Sequence, residues 1–348
     1  MNRIYLDHAA TTPLRPEAGA AMEEGCAMWA NPSSPHAEGR KARAALEDAR
    51  ARVKAALAWE GEVIFTSGAS EALAIGLQRS RAERQVASAV EHDAVFRAAP
   101  EAQVVPVANG QLDLGALEKV LAAPGPAVFA LQSINSETGT VMIPHEGTPA
   151  LAMVREAGGL FLADCSQSAG RLPLPDADMA VVASHKLGGP IGIGALLVRD
   201  FAMLEPVGGH ERGYRQGTEN LPAALGFAAA LEVGGLERWP TNYPERYEFR
   251  DLLRRGGDVL RPGPQCSHVL AVACEKLSAQ AALIRLDAMG FAVSAGSACS
   301  SGSLKPSRVL QAFGIPEDVG RRTIRVSIGW TTTPEDLNAF AEAWDSLD

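Results

Sequence analysis

From about residue 40 to residue 235 the chain alternates short apolar runs with longer amphipathic stretches, and no other feature restricts its fold as much. Arg40–Ala58 is rich in Ala, Leu and Arg and reads as a long helix, and Ala150–Ala157 as a shorter one. Ile64–Thr66, Gln85–Val90, Val104–Val107, Val128–Leu131, Leu160–Ala163, Met179–Ala183 and Gly194–Val198 read as strands. Strands spaced by helices imply βαβ units, hence an α/β fold around a mainly parallel sheet. The turn before Gly194 is too short for a helical crossover, so that last strand is expected to run antiparallel. A glycine-rich break at Val233–Pro240 marks a domain boundary. Strands at Ser267–Ala273 and Thr323–Ile328, with a helix at Ala279–Met289, suggest a smaller α+β domain beyond it.

Polar residues follow several of these apolar runs, and strand ends are where open parallel sheets collect ligands. Val181-Val182-Ala183-Ser184-His185-Lys186 ends in a lysine at the mouth of a buried strand. Desolvation favours the neutral amine, which can form a Schiff base with a carbonyl cofactor such as pyridoxal phosphate (PLP). Asp164 ends the Leu160–Ala163 run, where a carboxylate suits the pyridine nitrogen of PLP. Ile64-Phe65-Thr66-Ser67-Gly68-Ala69-Ser70 reads as strand, turn and helix start, which makes a phosphate cradle. Each has an ordinary counterpart: a solvated lysine, a capping aspartate, a plain helix cap. Their coincidence at strand ends in one chain favours a cofactor site.

The 348 residues suffice for two domains of ordinary size. The net charge of −9, with no basic cluster, argues against a nucleic-acid surface. No apolar run is long enough to span a bilayer, and Met1–His8 lacks the apolar core of a signal peptide, so a cytoplasmic location is expected. Five cysteines without a paired motif and seven scattered histidines argue against a disulfide framework, and no bound metal ion is expected. Cys299 lies in the small-residue run Ser294–Ser303, which is expected to form a mobile loop exposing a thiol. To react, that thiol needs a nearby cation or base. Cys26, Cys165, Cys266 and Cys274 sit in apolar or helical surroundings and read as structural fillers.

Taken in order, these segments resemble the cysteine desulfurases of the class V aminotransferase superfamily, fold-type I PLP enzymes. The resemblance runs over nearly the whole chain. It rests on Tyr5-Leu6-Asp7-His8-Ala9-Ala10-Thr11-Thr12-Pro13, Asn31-Pro32-Ser33-Ser34, Phe65-Thr66-Ser67-Gly68-Ala69-Ser70-Glu71 and Glu91-His92. It continues through Asn135-Ser136-Glu137-Thr138-Gly139, Asp164-Cys165-Ser166-Gln167-Ser168, Ser184-His185-Lys186, His210–Thr218 and Ile324-Arg325-Val326-Ser327. Ser297-Ala298-Cys299-Ser300-Ser301 is similar to the long-loop subgroup, which includes the nitrogen-fixation and housekeeping iron–sulfur types. The resemblance implies a large domain with a mainly parallel seven-stranded sheet flanked by helices, over residues 15–238. It implies a small C-terminal domain at 239–348 that carries the cysteine loop at about 294–305, and an N-terminal arm, 1–14, packing with the small domain.

The same resemblance assigns roles. Lys186 would hold PLP and move the substrate's α-proton; Asp164 would pair with the ring nitrogen and Gln167 with the phenolic oxygen. His92 would lie over the ring as an acid/base. Ala69, Ser70 and His185 would bind phosphate, with Thr218 reaching across from the second subunit of a homodimer. Arg325 would grip the carboxylate of L-cysteine, helped by Asn135. Cys299 would take the sulfur as a persulfide, release alanine, and hand the sulfur to an acceptor protein for iron–sulfur assembly or for thio-cofactor or tRNA thiolation. Ala183 stands where relatives usually carry serine, and Ser184 is expected to supply that phosphate contact instead. Cys165 replaces the usual alanine. The resemblance reaches Trp344–Asp348 without meeting the C-terminal extension through which housekeeping relatives dock a scaffold, so delivery to such a scaffold stays an open expectation. Two other readings stay open: another class V enzyme, such as an aminotransferase or a selenocysteine or cysteine-sulfinate lyase, or a catalytically silent protein of the same fold.

Overall fold

The computed structural model describes residues 3–295 and 307–347. Its main sheet has seven strands, in the order Glu62–Thr66, Gly194–Val198, Met179–Ala183, Leu160–Asp164, Ala127–Gln132, Arg84–Ser88, Gln103–Val105. Gly194–Val198 is antiparallel to both its neighbours, and the other pairings are parallel. Alternate side chains leave a strand on opposite faces. Val63, Phe65, Phe129, Leu131, Phe161, Ala163, Ala180 and Val182 accordingly pack on one face, with helices Ala37–Ala56, Pro149–Glu156 and Leu221–Glu232. Ile64, Val128, Ala130, Leu162, Met179 and Val181 pack on the other, with helices Ala69–Gln78 and Asp93–Ala98. Both faces are covered, which is why the central strands read as unbroken apolar runs.

A second sheet pairs Gly257–Leu260, Val269–Cys274 and Thr323–Ser327 antiparallel. Its core takes in Phe249, Leu286, Phe340 and Trp344 from the helices around it. Leu231 packs on the large sheet's core and Trp239 on this one. The N-terminal segment belongs here too: Ile4 and Tyr5 pair with Phe291 and Ala292, and Leu6 lies in this core.

One expected strand is shorter than its apolar run. Gln103–Val105 stops before Pro106, which has no N–H for the ladder. Val107–Ala108 pairs instead with Gln111–Leu112 across Asn109 and Gly110, both left-handed. An Asn-Gly pair is a strong hairpin signal that the strand reading passed over.

Because Gly194 sits opposite both Thr66 and Ala183, the strand Glu62–Thr66 runs in the same direction as the parallel set. The C-terminal ends of Glu62–Thr66, Arg84–Ser88, Ala127–Gln132, Leu160–Asp164 and Met179–Ala183 therefore open on one edge of the sheet.

Candidate active site

A cavity of about 610 Å³ lies at that edge. Ala69, Ser70, His92, Asp164, Gln167, His185, Lys186 and Arg325 all line it. Strand ends carry most of them; Arg325 arrives from the second sheet.

Lys186 ends a short turn, Ser184–Lys186, directly after the strand Met179–Ala183. Burial lowers its amine from 10.5 to about 8; Asp164 opposes this, and the positive charges of Arg325 and Arg171 add to it. Asp164 is buried, and its Oδ1 accepts from the Ser166 N–H at 2.9 Å and the Ser166 hydroxyl at 2.5 Å. Both bonds fall on one oxygen, which orients the carboxylate and leaves Oδ2 free of donors among the described residues. Gln167 donates to the Ala9 carbonyl at 2.9 Å.

The turn before helix Ala69–Gln78 passes through Gly68 at φ 151°, ψ −179°, a region nearly closed to other residues. Among the described residues no side chain caps this helix, so its first N–H groups are left without a side-chain acceptor at the cavity wall. Gly194 lets the antiparallel strand pass close beneath: a Cβ there would lie 2.6 Å from the Val182 carbonyl and 2.9 Å from Gly68 Cα.

His92 caps helix Asp93–Ala98, its Nδ1 accepting from the Ala94 N–H at 3.1 Å. The neutral ring then carries its proton on Nε2. Packing around the ring, and then the charge of Lys186, hold His92 below its ordinary pKa, although the residue is open to the cavity. Burial and Lys186 lower His185 to about 4. Arg325 is 7% exposed, donates to Asp7 at 2.8 Å and to the Ser136 carbonyl at 3.0 Å, and keeps a buried Nε with no partner among the described residues. Beside it Glu137 is raised above its ordinary pKa, chiefly by burial, while accepting from Ser307 at 2.6 Å.

Two expected contacts, those of Ser184 and Asn135, are placed elsewhere. Ser184 does not face the cavity: its hydroxyl is buried, without a partner among the described residues, on the side of Gly189 and Ala230. Ala183 does not line the cavity either. Asn135 turns into its own loop, its amide donating to the Val90 carbonyl and its oxygen accepting from the Glu137 and Thr138 N–H groups. Ser136 and Glu137 line the cavity in its stead. Thr218 is exposed and lies outside this chain's cavity. Cys299 lies outside the described residues; Ser294, Ala295 and Val309, on either side of them, line the cavity. Cys165 is fully buried, with its thiol pushed up to about 12, chiefly by desolvation.

The sequence reading missed Asp7, Ser136, Glu137, Ser166 and Arg171. A hydroxyl two residues after a strand-end aspartate was a usable signal for Ser166. The others come together only through tertiary contacts.

The residues present fit pyridoxal phosphate on their own chemistry: a half-buried amine, a carboxylate with one oxygen free, an uncapped helix start and an arginine with an orphaned donor share one cavity among the described residues. The profile of the Aminotransferase class-V family matches residues 4–340, and the chain belongs to that family, whose members use PLP. Within it, the chain is 36% identical to a cysteine desulfurase of Gluconacetobacter diazotrophicus, over 100% of this chain and 94% of that protein. It is 33% identical to the cysteine desulfurase IscS of Dictyoglomus turgidum, over 96% of this chain and 92% of the relative. Among solved structures, a NifS-like protein from Rickettsia africae superposes with a TM-score of 0.86 at 27% identity, covering 99% of both chains. SspA in complex with cysteine gives 0.77 at 27% identity, over 94% of this chain and 99% of the other.

Proposed function

We propose that this chain is a PLP-dependent cysteine desulfurase, taking sulfur from L-cysteine to leave L-alanine and a persulfide on Cys299. The observation that carries it is the convergence of Lys186, Asp164, His92 and Arg325 on one cavity. The cysteine held by SspA supports the choice of substrate.

Pyridoxal phosphate, when bound, supplies the electron sink that lets a substrate α-carbon give up its proton. The chain's own residues do the rest. The first N–H groups of helix Ala69–Gln78, with Ser70 and His185, would hold the phosphate, and Asp164 Oδ2 would hold the ring nitrogen. Arg325, steadied by Asp7 and the Ser136 carbonyl, offers donors to the substrate carboxylate. Roughly a tenth of an amine with pKa near 8 is neutral at pH 7, so Lys186 can take the α-proton. His92 offers the proton on Nε2. At Cys299 a thiolate attacks the substrate sulfur. The S–S bond forms as the C–S bond breaks, and the electron pair of that bond stays with carbon, which is then protonated to alanine.

Exposed Thr218 suits a residue that completes a second copy's site, and a homodimer is part of this reading. So is an acceptor protein for the persulfide, in iron–sulfur assembly or in thio-cofactor or tRNA thiolation. Alanine and sulfide released from L-cysteine in the presence of a thiol reductant test the whole. Wild type should yield both, and Cys299→Ser should lose sulfide release at least about 100-fold while keeping the cofactor. No alanine from wild type would overturn the reading; a wild-type rate in the variant would overturn the persulfide.

A further inference from the structure

Arg171 is a buried cation for which the proposed chemistry has no use. It follows Gln167 by four residues and is 7% exposed. Its hydrogen bonds go to uncharged oxygens: Nη1 donates to the Gln167 carbonyl at 2.8 Å and lies 3.5 Å from the Gln167 side-chain oxygen, and Nη2 donates to the Lys186 carbonyl. Among the described residues no carboxylate pairs with it. Its flat face lies toward Trp239, 5.9 Å from the ring centre, and Arg246 approaches the same ring at 5.7 Å. From the second sheet, His268 Nε2 meets the same Gln167 carbonyl at 3.1 Å, which fixes its proton on that nitrogen.

A lone buried charge is unfavourable unless its surroundings answer it, so the groups it faces decide what it does. The groups around it cannot neutralise it. Burial, reinforced by Arg171 itself, holds His8 and His268 neutral, each at about 3. Burial pushes the Cys266 thiol up and keeps it uncharged. Arg15 adds a further positive charge, and Arg171, lowered to about 10 by desolvation, stays protonated at neutral pH. Toward the cavity, Lys186 also faces Asp164 and Arg325, with His92 and His185 in the same wall.

We propose that Arg171 is a positioning residue for the cofactor lysine: its guanidinium ties the main chain at Gln167 to that at Lys186 and holds a fixed positive charge behind the amine. This rests on the reading of Lys186 as the cofactor lysine. It assigns to Arg171 two effects, a fixed spacing between two cofactor-facing residues and a bias toward the neutral amine.

Arg171→Met, Arg171→Gln and Arg171→Lys in the full chain test it with two readouts. The first is the pH midpoint for trinitrobenzenesulfonate labelling of Lys186 in cofactor-free protein, scored by mass spectrometry. The second is the pH midpoint of the visible band in protein loaded with pyridoxal phosphate. The neutral variants should raise both midpoints by roughly half to one unit. Arg171→Lys should keep them near wild type yet release the cofactor several-fold faster, since one ammonium does not span two carbonyls as a guanidinium does. Should Arg171→Met fail to fold, Arg171→Gln carries the same comparison, because it can still donate to a carbonyl. Unmoved midpoints in a folded neutral variant overturn the proposal. A wild type that takes up no pyridoxal phosphate overturns the underlying reading instead, and the labelling midpoint then still decides whether the charge acts on Lys186.

Discussion

Lys186 is held where its charge is unwelcome, and the consequence is measurable without any reaction. The native amine sits near 8 against an ordinary 10.5, so the unfolded chain binds more protons between those values. Stability therefore rises with pH across that window, and the penalty is at its full size below about 8. Cofactor-free Lys186→Met should accordingly be more stable than wild type at pH 7, on the order of 1–3 kcal/mol by urea unfolding, with the gap closing as pH rises toward 10.5. A variant no more stable than wild type would show that the amine is well solvated. At Arg325 the geometry matters as well as the charge. Arg325→Lys keeps the charge but loses the planar fork that reaches Asp7, the Ser136 carbonyl and a ligand together. We expect kcat/KM for L-cysteine to fall about 10- to 100-fold, mostly through KM. An unchanged KM would remove Arg325 from carboxylate binding.

Two elements shape the site from outside it. The turn that leads toward Thr218 holds two non-glycine residues in left-handed geometry, Glu211 at φ 48° and Arg212 at φ 58°. A buried pair pins it: Glu211 accepts from Arg50 at 2.7 Å and 3.1 Å and from the Phe65 N–H at 2.9 Å. Removing one partner leaves the other charge buried, so Glu211→Gln should lower unfolding free energy by about 3–5 kcal/mol. A loss under about 1 kcal/mol, within the range of an exposed pair, would count against that clamp. The second element is the strand Gly194–Val198. Gly194→Ala would drive a Cβ against the Val182 carbonyl and the Gly68 turn. We expect pyridoxal phosphate to dissociate at least about 10-fold faster from this variant, because the displaced backbone is the cradle itself. Wild-type retention would mean that the turn yields without penalty.

Across the whole molecule, the cavity is a joint product of two sheets and the N-terminal segment. Arg325 reaches it on the Thr323–Ser327 strand, Asp7 holds that arginine, and the Ala9 carbonyl holds Gln167. A change near the N-terminus is therefore a change in the site. Asp7→Asn should weaken the hold on Arg325 and raise KM for L-cysteine several-fold, with the visible band of the loaded protein unaltered. A shifted band with KM intact would place Asp7 on the cofactor side.

The sequence by itself determined the strands, their alternation with helices, and the strand ends at which Ser70, Asp164 and Lys186 emerge, because these depend on local periodicity and on which residue follows an apolar run. It also foretold the antiparallel strand of the seven-stranded sheet, since a turn that short leaves no other path. Tertiary structure alone decided which neighbouring residue faces the cavity: Ser136 rather than Asn135, and not Ser184. It alone brought Asp7 to Arg325 across the chain and tied Arg171 to the Lys186 carbonyl. Side-chain direction at a strand end turns on a single residue of register, and contacts between segments hundreds of residues apart leave no periodic mark in either one.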